Sequence, residues 1–358
     1  MRGEGEGFLA LGPRFWKGSK NVELGAFVVV PGGDDLTAMG EVQPHDVAAL
    51  RNARSPYSSR MPIVGNDVLQ SWMDRIRKLG VESLWLTSGP RDGTVTRSEL
   101  AAFARQGVER LLVIKLNSYA EMDLSDLVRF HCENRNPVTE AHDARGKLGV
   151  CLLDHLALQR NQKNELSFTS SDCGRRPYQF SGYAKRILAV RERQELVGDA
   201  LTGACALRPF GKEIGEQVWI GEGVNLASSA RIIGPTYIGA NAVIRAGATI
   251  GPFASVERDC VVDCGTTVER STVLPHTYLA PGVLIRDSVV DGGHLEHLGW
   301  GAVADLQPAG LGCRLPERES LKRASSKTGT NAGSPAGGPA WNFGPCSAAG
   351  TPWLQVQL

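Results

Sequence analysis

Residues 214–284 read "IGEQVWIGEGVNLASSARIIGPTYIGANAVIRAGATIGPFASVERDCVVDCGTTVERSTVLPHTYLAPGVL". Taken in sixes from Ile214, each hexad begins with isoleucine, leucine or valine. These first positions are Ile214, Ile220, Leu226, Ile232, Ile238, Ile244, Ile250, Val256, Val262, Val268 and Leu274. If such residues made up about a quarter of a random chain, this succession would have a probability on the order of 10⁻⁷. The six-residue period therefore predicts a repeating fold.

A second inward position is suggested by the fifth residue of each hexad, which is mostly small or β-branched, as at Val218, Ala230 and Ala242. Glycine takes the second position in several hexads, among them Gly215 and Gly221, where a tight corner can need a positive φ. One bulky and one small inward residue per hexad suit short strands wound into a coil. Stacked coils then bury a continuous core.

This pattern resembles the hexapeptide-repeat, left-handed parallel β-helix. Eighteen residues per coil would give roughly four coils, continuing less regularly to about residue 299. Such a solenoid exposes strand edges at its ends, so we expect capping or a homo-oligomer formed through the β-helix.

The N-terminal half contains three segments that alternate strand and helix patterns. Residues 25–33 predict a buried strand that ends in a glycine turn. Residues 68–89 and 98–117 each predict a helix, closed by Gly80 or Gly107, and then a strand. This alternation favours a parallel sheet covered on both faces, with ligands collecting at the carboxyl ends of its strands.

The segments 59–86 and 111–141 resemble the sugar-1-phosphate nucleotidylyltransferases, the group that includes GDP-mannose pyrophosphorylase. An α/β domain of reduced Rossmann-like type followed by a left-handed β-helix is also the order of that family. The resemblance implies a role in sugar-nucleotide or surface-polysaccharide biosynthesis. It implies a nucleotide sugar or sugar phosphate as the partner, and Mg²⁺ as the cofactor if nucleotidyl transfer is retained.

The chain departs from the family pattern at the residues that bind phosphate and metal in active members. Active members have a glycine-rich phosphate loop after the first strand, whereas residues 31–36 read "PGGDDL". Gly32 and Gly33 remain, and the two aspartates that follow would repel phosphate. The family's metal-binding aspartate aligns with Asn117, whose amide brings no charge to offset Mg²⁺. We therefore predict weakened or lost nucleotidyl transfer, with Gly32, Gly33 and Asn117 as candidate ligand-binding residues and Asn117 as a weak catalytic candidate.

Histidines leave two further possibilities open. His276 is the one histidine of the repeats, and a hexapeptide-repeat acyltransferase would need such a general base. The simpler interpretation is a surface histidine. His294 and His297 lie three residues apart in "GGHLEHLG" and favour a cap of the solenoid over a metal pair, so no metal site is predicted. A non-enzymatic oligomeric binding or scaffold module is the remaining alternative.

The composition places limits on the other function classes. The chain has 358 residues, 42% hydrophobic and 22% charged, with a net charge of +1, which gives no reason to expect nucleic acid as a partner. We expect no signal peptide, and no apolar run is long enough to predict a membrane span. The scattered cysteines are expected to be small buried thiols in a reducing cytoplasm.

The domain organisation follows from these segments. We predict a loose N-terminus (1–20), a degenerate nucleotidyltransferase-like α/β domain (21–200), a β-helix (201–300) and a disordered tail (313–358) rich in Gly, Ser and Pro. A basic helix within residues 174–201 is expected to present a solvated face.

Overall fold

The computed structural model describes residues 24–31, 62–81, 83–89, 108–154, 157 and 176–315. The chain divides into two compact units, one formed by residues 1–60 and 67–188 and the other by residues 61–66 and 189–358. The predictions for the N-terminus, for Gly32 and Gly33, for the helix ending at Gly107 and for most of the tail lie outside the described residues.

The first unit combines helices with two sheets. Its described elements are β1 (Leu24–Pro31), α1 (Val68–Lys78), β2 (Ser83–Gly89), β3 (Arg110–Lys115), β4 (Ser118–Ala120), α2 (Leu124–Asn134), β5 (Val138–Asp143), β6 (Gly146–Asp154), β7 (Tyr178–Gln179) and β8 (Ala184–Arg186).

Helix α1 illustrates how the sequence sets these elements. The Asp67 side chain accepts a hydrogen bond from the Leu69 amide at 2.8 Å and caps the first turn. Trp72 and Ile76 recur one turn apart on the buried face. Gly80 follows the helix with a φ of +75°, a conformation that glycine adopts without strain. The helix that the sequence predicted here is therefore confirmed.

The main sheet is mixed rather than parallel. Its strand order is β2-β1-β3-β6-β5-β7, and β1 lies parallel to both β2 and β3. Strand β6, in contrast, pairs antiparallel with β3 and β5. The predicted parallel sheet is thus correct for β1–β3 and wrong for β6, because a two-residue connection joins β5 to β6 and such short connections enforce antiparallel pairing.

The second unit consists of a helix and a series of short strands. Its elements are α3 (Val190–Thr202), β9 (Lys212–Gly215), β10 (Val218–Ile220), β11 (Asn225–Leu226), β12 (Arg231–Ile232), β13 (Thr236–Ile238), β14 (Val243–Ile244), β15 (Thr249–Ile250), β16 (Ala254–Val256), β17 (Val261–Val262), β18 (Thr267–Glu269), β19 (Thr272–Val273), β20 (Thr277–Leu279), β21 (Leu284–Arg286), β22 (Ser288–Asp291), β23 (His294–His297), β24 (Val303–Asp305) and β25 (Gly312–Arg314). Strand β25 includes residues 313 and 314, where the predicted tail begins.

These strands form a parallel β-solenoid of about four turns, as predicted. Successive coils pair in parallel along three faces, through β10-β13-β16-β19-β22, β11-β14-β17-β20 and β12-β15-β18-β21. A continuous apolar core fills the solenoid and is lined by residues that are 0% exposed, among them Ile238, Ile250, Val262 and Val268. Burial of one bulky side chain per hexad is what holds the coils together, since each such residue contributes roughly 1.5–3 kcal/mol.

The two ends of the predicted hexad series need correction. Ile214 lies on β9, which pairs antiparallel with β10, and its side chain is 57% exposed. At the other end Val256 pairs with Val273, seventeen residues on, so the period shortens by one residue before β19. Val273 takes the inward position in place of Leu274, which packs in a separate small cluster with Val190.

Arg270 occupies the corner of the shorter coil. Arg270 adopts a φ of +46°, and its Nε and Nη2 atoms donate to the two oxygens of Asp287 at 2.7 Å each. Phe253 occupies the same corner of the preceding coil with a φ of +53°, so the left-handed conformation is common to both corners. The shorter corner, between β18 and β19, differs in the ion pair of Arg270 with Asp287 of the next coil. Periodicity alone does not reveal this pair, because Arg270 and Asp287 lie in different coils.

The cysteines are only partly as predicted. Cys151, Cys205 and Cys260 are buried free thiols, whereas Cys132 is exposed and Cys313 is half-buried. Cys264 is disulfide-bonded, which corrects the expectation that all cysteines are reduced. Within the described ranges, no helix has the length and apolar character to span a membrane.

Candidate functional site

The carboxyl ends of β1 and β3 lie at one edge of the main sheet. The strands are parallel, and Val29 pairs with Lys115. Pro31, the last residue of β1, and Asn117, which follows β3, each lie two positions beyond that pair. The predicted placement of Asn117 at a ligand-collecting edge is therefore consistent with the strand register, while Gly32 and Gly33 follow Pro31 in the part of the chain that is not described.

The backbone around Asn117 is held by hydrogen bonds. The Asn117 carbonyl oxygen accepts from the Ile187 amide at 2.7 Å, and the next residue, Ser118, pairs with Arg186 between β4 and β8. The buried Ser118 Oγ donates to the Leu148 carbonyl oxygen at 2.5 Å. The turn between β3 and β4 is thus fixed from both sides.

The Asn117 amide packs against a glycine. Its Oδ1 atom lies 2.5 Å from the position that a Cβ atom would take at Gly149, and the Lys115 Cβ lies 3.2 Å from the same point. Gly149 has a φ of +70°. The side chains of Lys115 and Asn117 therefore lie on the same side of the chain. Both pack over Gly149 of β6, which has no side chain of its own.

The Asp143 carboxylate of β5 is neutralised by Arg186, the residue that pairs with Ser118. Arg186 donates to both oxygens of Asp143, at 3.0 and 2.8 Å, and to the Lys147 carbonyl oxygen at 2.9 Å. The hydrogen bond from Arg186 is the largest influence on Asp143 and lowers its pKa. Asp143 is therefore held as a carboxylate that serves an ion pair.

These residues do not fit a Mg²⁺ ion. Asn117 offers one neutral oxygen, Lys115 brings a positive charge, and the Asp143 carboxylate is engaged by Arg186. A hard divalent cation prefers several oxygen ligands, including carboxylates. Among the residues that the structure describes, no cluster of three potential ligands could hold a metal.

Asp123, which follows this turn, has a local role. Its side chain accepts from the Ser125 amide at 2.9 Å and caps helix α2. Asp126 lies in the first turn and pairs with Arg129 at 2.5 Å. Both carboxylates stabilise the helix beginning, where the partial positive charge of the helix favours them.

A buried histidine network lies behind α2. His131 Nδ1 is 2.8 Å from Thr139 Oγ1, and His131 Nε2 is 3.0 Å from Asp154 Oδ1. Asn136 donates to Thr139 Oγ1 at 3.2 Å, so we assign the Thr139 hydroxyl as the donor to Nδ1 and Nε2–H as the donor to Asp154.

This chain of bonds has the order of a catalytic triad, but Thr139 is 0% exposed and cannot reach a substrate. Although burial raises the pKa of Asp154, the hydrogen bond from His131 and the hydrogen bond and charge of Arg110 lower it overall. The network is a structural one that fixes α2 on the sheet.

His276 is buried, which corrects the expectation of a surface histidine. Its side chain is 6% exposed, and its φ of +60° matches the φ of +57° at Asn241 and Asp259, which occupy the same corner in earlier coils. Its amide donates to the Arg258 carbonyl oxygen at 3.2 Å, and its own carbonyl accepts from Leu315 at 2.6 Å. A general base needs access to its substrate, so this burial disfavours a catalytic His276.

The other two histidines lie on β23, which pairs antiparallel with β22 and β24 at the end of the solenoid. His294 and His297 are three residues apart, so their side chains leave opposite faces of the strand and do not converge on a metal. His297 stacks on Trp300 with 4.7 Å between ring centroids. The cap interpretation agrees with this geometry.

The solenoid contains a buried acid that its sequence pattern did not predict. Glu257 follows β16 and is 1% exposed. Its Oε1 atom lies 2.9 Å from Ser255 Oγ, and its Oε2 accepts from the Gly65 amide at 3.1 Å. Burial raises the pKa of Glu257 to about 7, despite the opposing effects of Ser255, Arg193 and the Gly65 amide.

Gly65 belongs to a tight turn, residues 62–66, that packs on this acid. Ile63 and Asn66 exchange backbone hydrogen bonds of 2.7 and 2.9 Å, and the two residues between them, Val64 and Gly65, have φ values of +47° and +82°. Positive φ at both central positions is the geometry of the two-residue hairpin turn.

Three further contacts hold the turn. Arg193 of α3 donates to the Pro62 carbonyl oxygen, Asn66 Nδ2 donates to the Arg208 carbonyl oxygen at 2.6 Å, and the Phe210 amide donates to the Val64 carbonyl oxygen at 3.0 Å. Arg193 is 3% exposed, which corrects the expectation of a solvated basic face at this position. No local sequence signal connects Glu257 to a turn 192 positions earlier.

Comparisons with known proteins agree with the solenoid and say less about the rest. The family described as bacterial transferase hexapeptide (six repeats) matches residues 212–252. No curated protein sequence matches the chain.

Among solved structures, the chain is similar to a protein described as a glucose-1-phosphate thymidylyltransferase from Bacillus anthracis, in complex with sucrose. The identity is 9%, the TM-score is 0.33, and the match covers 49% of this chain and 96% of the other. What the chain shares with known proteins is thus a hexapeptide-repeat solenoid over residues 212–252.

Proposed function

We propose that the chain is a sugar-nucleotide-related protein in which nucleotidyl transfer is weakened or lost, and that it binds a nucleotide sugar or sugar phosphate at the edge formed by the carboxyl ends of β1 and β3. The biosynthesis of surface polysaccharide is the process to which such a protein would belong. The match to the bacterial transferase hexapeptide repeats supports a transferase-related role for the chain.

The observation that carries this proposal is the environment of Asn117. Nucleotidyl transfer requires an arrangement that neutralises the charge growing on the phosphates. Here the residue at the strand end is a neutral amide packed on Gly149, and the Asp143 carboxylate on β5 is already paired with Arg186. Lys115 supplies a positive charge, which suits a phosphate group but does not replace a metal ligand set.

Isothermal titration of the full chain with nucleoside triphosphates and nucleotide sugars tests the binding. We expect at least one ligand of this panel to bind, and Asn117→Ala to weaken it at least several-fold. Asn134→Ala is the matched control, because Asn134 is exposed at the end of α2 and its side chain bonds, among the described residues, only to the Phe130 carbonyl oxygen. The absence of binding up to millimolar concentration across the panel would contradict the proposal.

Pyrophosphate release tests the loss of turnover. We expect no release above background in the wild type, and none in Asn117→Asp, since a single added carboxylate does not supply a ligand set for Mg²⁺. Rapid pyrophosphate release by the wild type would overturn the proposed loss of nucleotidyl transfer while leaving ligand binding in place.

Self-association is a second candidate role, favoured by the first coil of the solenoid. Strands β11 and β12 are the first strands of their sheets, and no described strand pairs with their outer edges. Leu226 and Ile233 at this end are 37% and 39% exposed. Light scattering of the full chain would show an oligomer, and a monomer at all concentrations would exclude this role.

Acyl transfer at the solenoid stays as the alternative from a different enzyme class. It would need His276 as a general base, and the burial of this residue counts against it. If an acyl-transfer activity is found, equal rates in the wild type and in His276→Ala would exclude His276 as its base.

A further inference from the structure

The contacts of Glu257 are compatible with a neutral carboxyl group. A protonated Oε1 can donate to Ser255 Oγ at 2.9 Å while Oε2 accepts from the Gly65 amide at 3.1 Å. The same atoms also accommodate the charged form, with Ser255 donating instead. Loss of the proton therefore requires no rearrangement of these bonds, but it leaves a full charge in a site that is closed to water.

Few charged or titratable groups face Glu257 among the described residues. From α3 comes Arg193, whose charge favours the carboxylate. From β13 comes Tyr237, whose pKa is raised by burial and by the Glu257 charge, and from the next corner comes Cys260, whose thiol pKa is raised in the same way. The turn of residues 62–66 brings no titratable side chain.

The turn is what closes the site. The Gly65 amide lies directly on Oε2, and a Cβ atom at Gly65 would collide with the Tyr237 hydroxyl. Val64 is 0% exposed yet has a φ of +47°, a conformation that is unfavourable for a β-branched residue. A turn that carries such backbone strain is held by its surroundings and is expected to open locally before the solenoid unfolds.

We propose that Glu257 and the turn of residues 62–66 form a proton-operated latch, in which the turn closes over the neutral carboxyl group and opens more readily when that group is charged. The direction follows from linkage. Opening admits water to Glu257 and restores its ordinary acidity, so the open form binds its proton less tightly than the closed form does. Opening therefore releases a proton, and rising pH favours it.

Hydrogen exchange measured by mass spectrometry on the full chain tests this latch. The amides of Ile63, Gly65 and Asn66 are all hydrogen-bonded in the closed turn and would exchange only on opening. After correction for the intrinsic exchange rate at each pH, the opening equilibrium should rise roughly 70-fold between pH 5 and pH 8 and level off above that. This value follows from a pKa of about 7 in the closed form and 4.5 in the open form.

Three variants separate the latch from general pH effects. Glu257→Gln keeps an acceptor for Gly65 but cannot ionise, so its opening should not change between pH 5 and pH 8. Asn66→Ala loses the bond to Arg208, so it should open more at every pH and keep the wild-type pH ratio. Asp259→Asn removes a carboxylate of the same coil and should also keep that ratio.

Each outcome decides the proposal. Protection of the turn that is equal at pH 5 and pH 8 in the wild type would overturn it, as would the full wild-type ratio in Glu257→Gln. Loss of the pH ratio in Asp259→Asn would also contradict the proposal, because it would identify Asp259 rather than Glu257 as the titrating group. If Glu257→Gln does not fold, the wild type, Asn66→Ala and Asp259→Asn still decide, because all three must show the same ratio.

Discussion

The amide oxygen Oδ1 of Asn117 lies 2.5 Å from the point where Gly149 would carry a Cβ atom. The residue at the end of β3 is therefore accommodated by the lack of a side chain on β6, across the sheet. This relationship explains how an asparagine can be packed at a strand end that would be expected to bind a ligand, and it makes the two positions depend on each other.

Gly149→Ala is expected to destabilise the first unit by about 2–4 kcal/mol, because the added methyl group meets Asn117 and the residue has a φ of +70°. Gly80→Ala is the matched control. Gly80 has nearly the same φ, of +75°, but no heavy atom of the described residues lies within 4 Å of its Cβ position. Urea denaturation followed by circular dichroism should show the larger loss for Gly149→Ala.

A double-mutant cycle tests whether Asn117 is the cause. Asn117→Ala should recover part of the stability lost in Gly149→Ala, but not all of it, since Lys115 Cβ stays 3.2 Å from the added carbon. Strict additivity of the two changes would show that the side chains do not interact.

The solenoid core allows a second comparison between two isoleucines of the same hexad series. Ile250 is 0% exposed and Ile214 is 57% exposed. Ile250→Ala should cost about 2–5 kcal/mol in the free energy of unfolding, because it leaves a cavity in the core. Ile214→Ala should cost less than about 1 kcal/mol. Equal urea midpoints for the two variants would contradict the placement of Ile250 inside the coil.

The pH dependence of stability should carry the signature of Glu257. Its pKa is raised from 4.5 to about 7 in the folded chain, so the folded form binds more protons than the unfolded form between these values. The free energy of unfolding should therefore fall by about 3 kcal/mol as the pH rises from 4.5 to 7. Glu257→Gln should remove this fall, as measured by urea denaturation at a series of pH values.

Paired acids act in the opposite direction at lower pH. The hydrogen bond from Arg270 lowers the pKa of Asp287, and that from Arg186 lowers the pKa of Asp143. Such groups contribute stability that is present above their ordinary pKa and is lost as the pH falls through the lowered one. We therefore expect maximal stability near pH 5, and Glu257→Gln should retain the acid limb of the curve.

The histidine network predicts a cost for removing one hydroxyl group. Thr139→Val leaves the buried His131 and Asn136 without a shared partner and should destabilise the chain by about 1–3 kcal/mol. Thr202→Val is the control, because the exposed Thr202 hydroxyl bonds only to carbonyl groups of its own helix. A Thr139→Val variant as stable as the wild type would contradict the assigned network.

Local patterns predicted several elements well, for physical reasons that act over a few residues. The period of six marks inward positions because each strand of a coil repeats the same backbone path, and Gly80 ends α1 because of its own φ. The mixed sheet was missed, because the antiparallel placement of β6 depends on pairing with β3, a strand more than thirty positions away.

The candidate site was predicted less completely. Asn117 could be placed at a strand end because it directly follows an apolar run in the sequence. Its contact with Gly149, however, depends on the order of the strands in the sheet. His276 was expected at the surface because only its position in the hexad was known. Its burial results from the corner that it shares with Asn241 and Asp259 and from Leu315, which bonds to its carbonyl oxygen.

The amino-acid sequence by itself determined that residues from Ile220 to Val268 wind into stacked coils, because the pattern of inward aliphatic side chains is complete within each hexad. Only the tertiary structure decided the shortened coil at Arg270 and the enclosure of Glu257 by the turn around Gly65. Both depend on groups that the folded chain brings together from distant positions. Contacts of this kind stabilise the fold without producing a repeating pattern in the sequence.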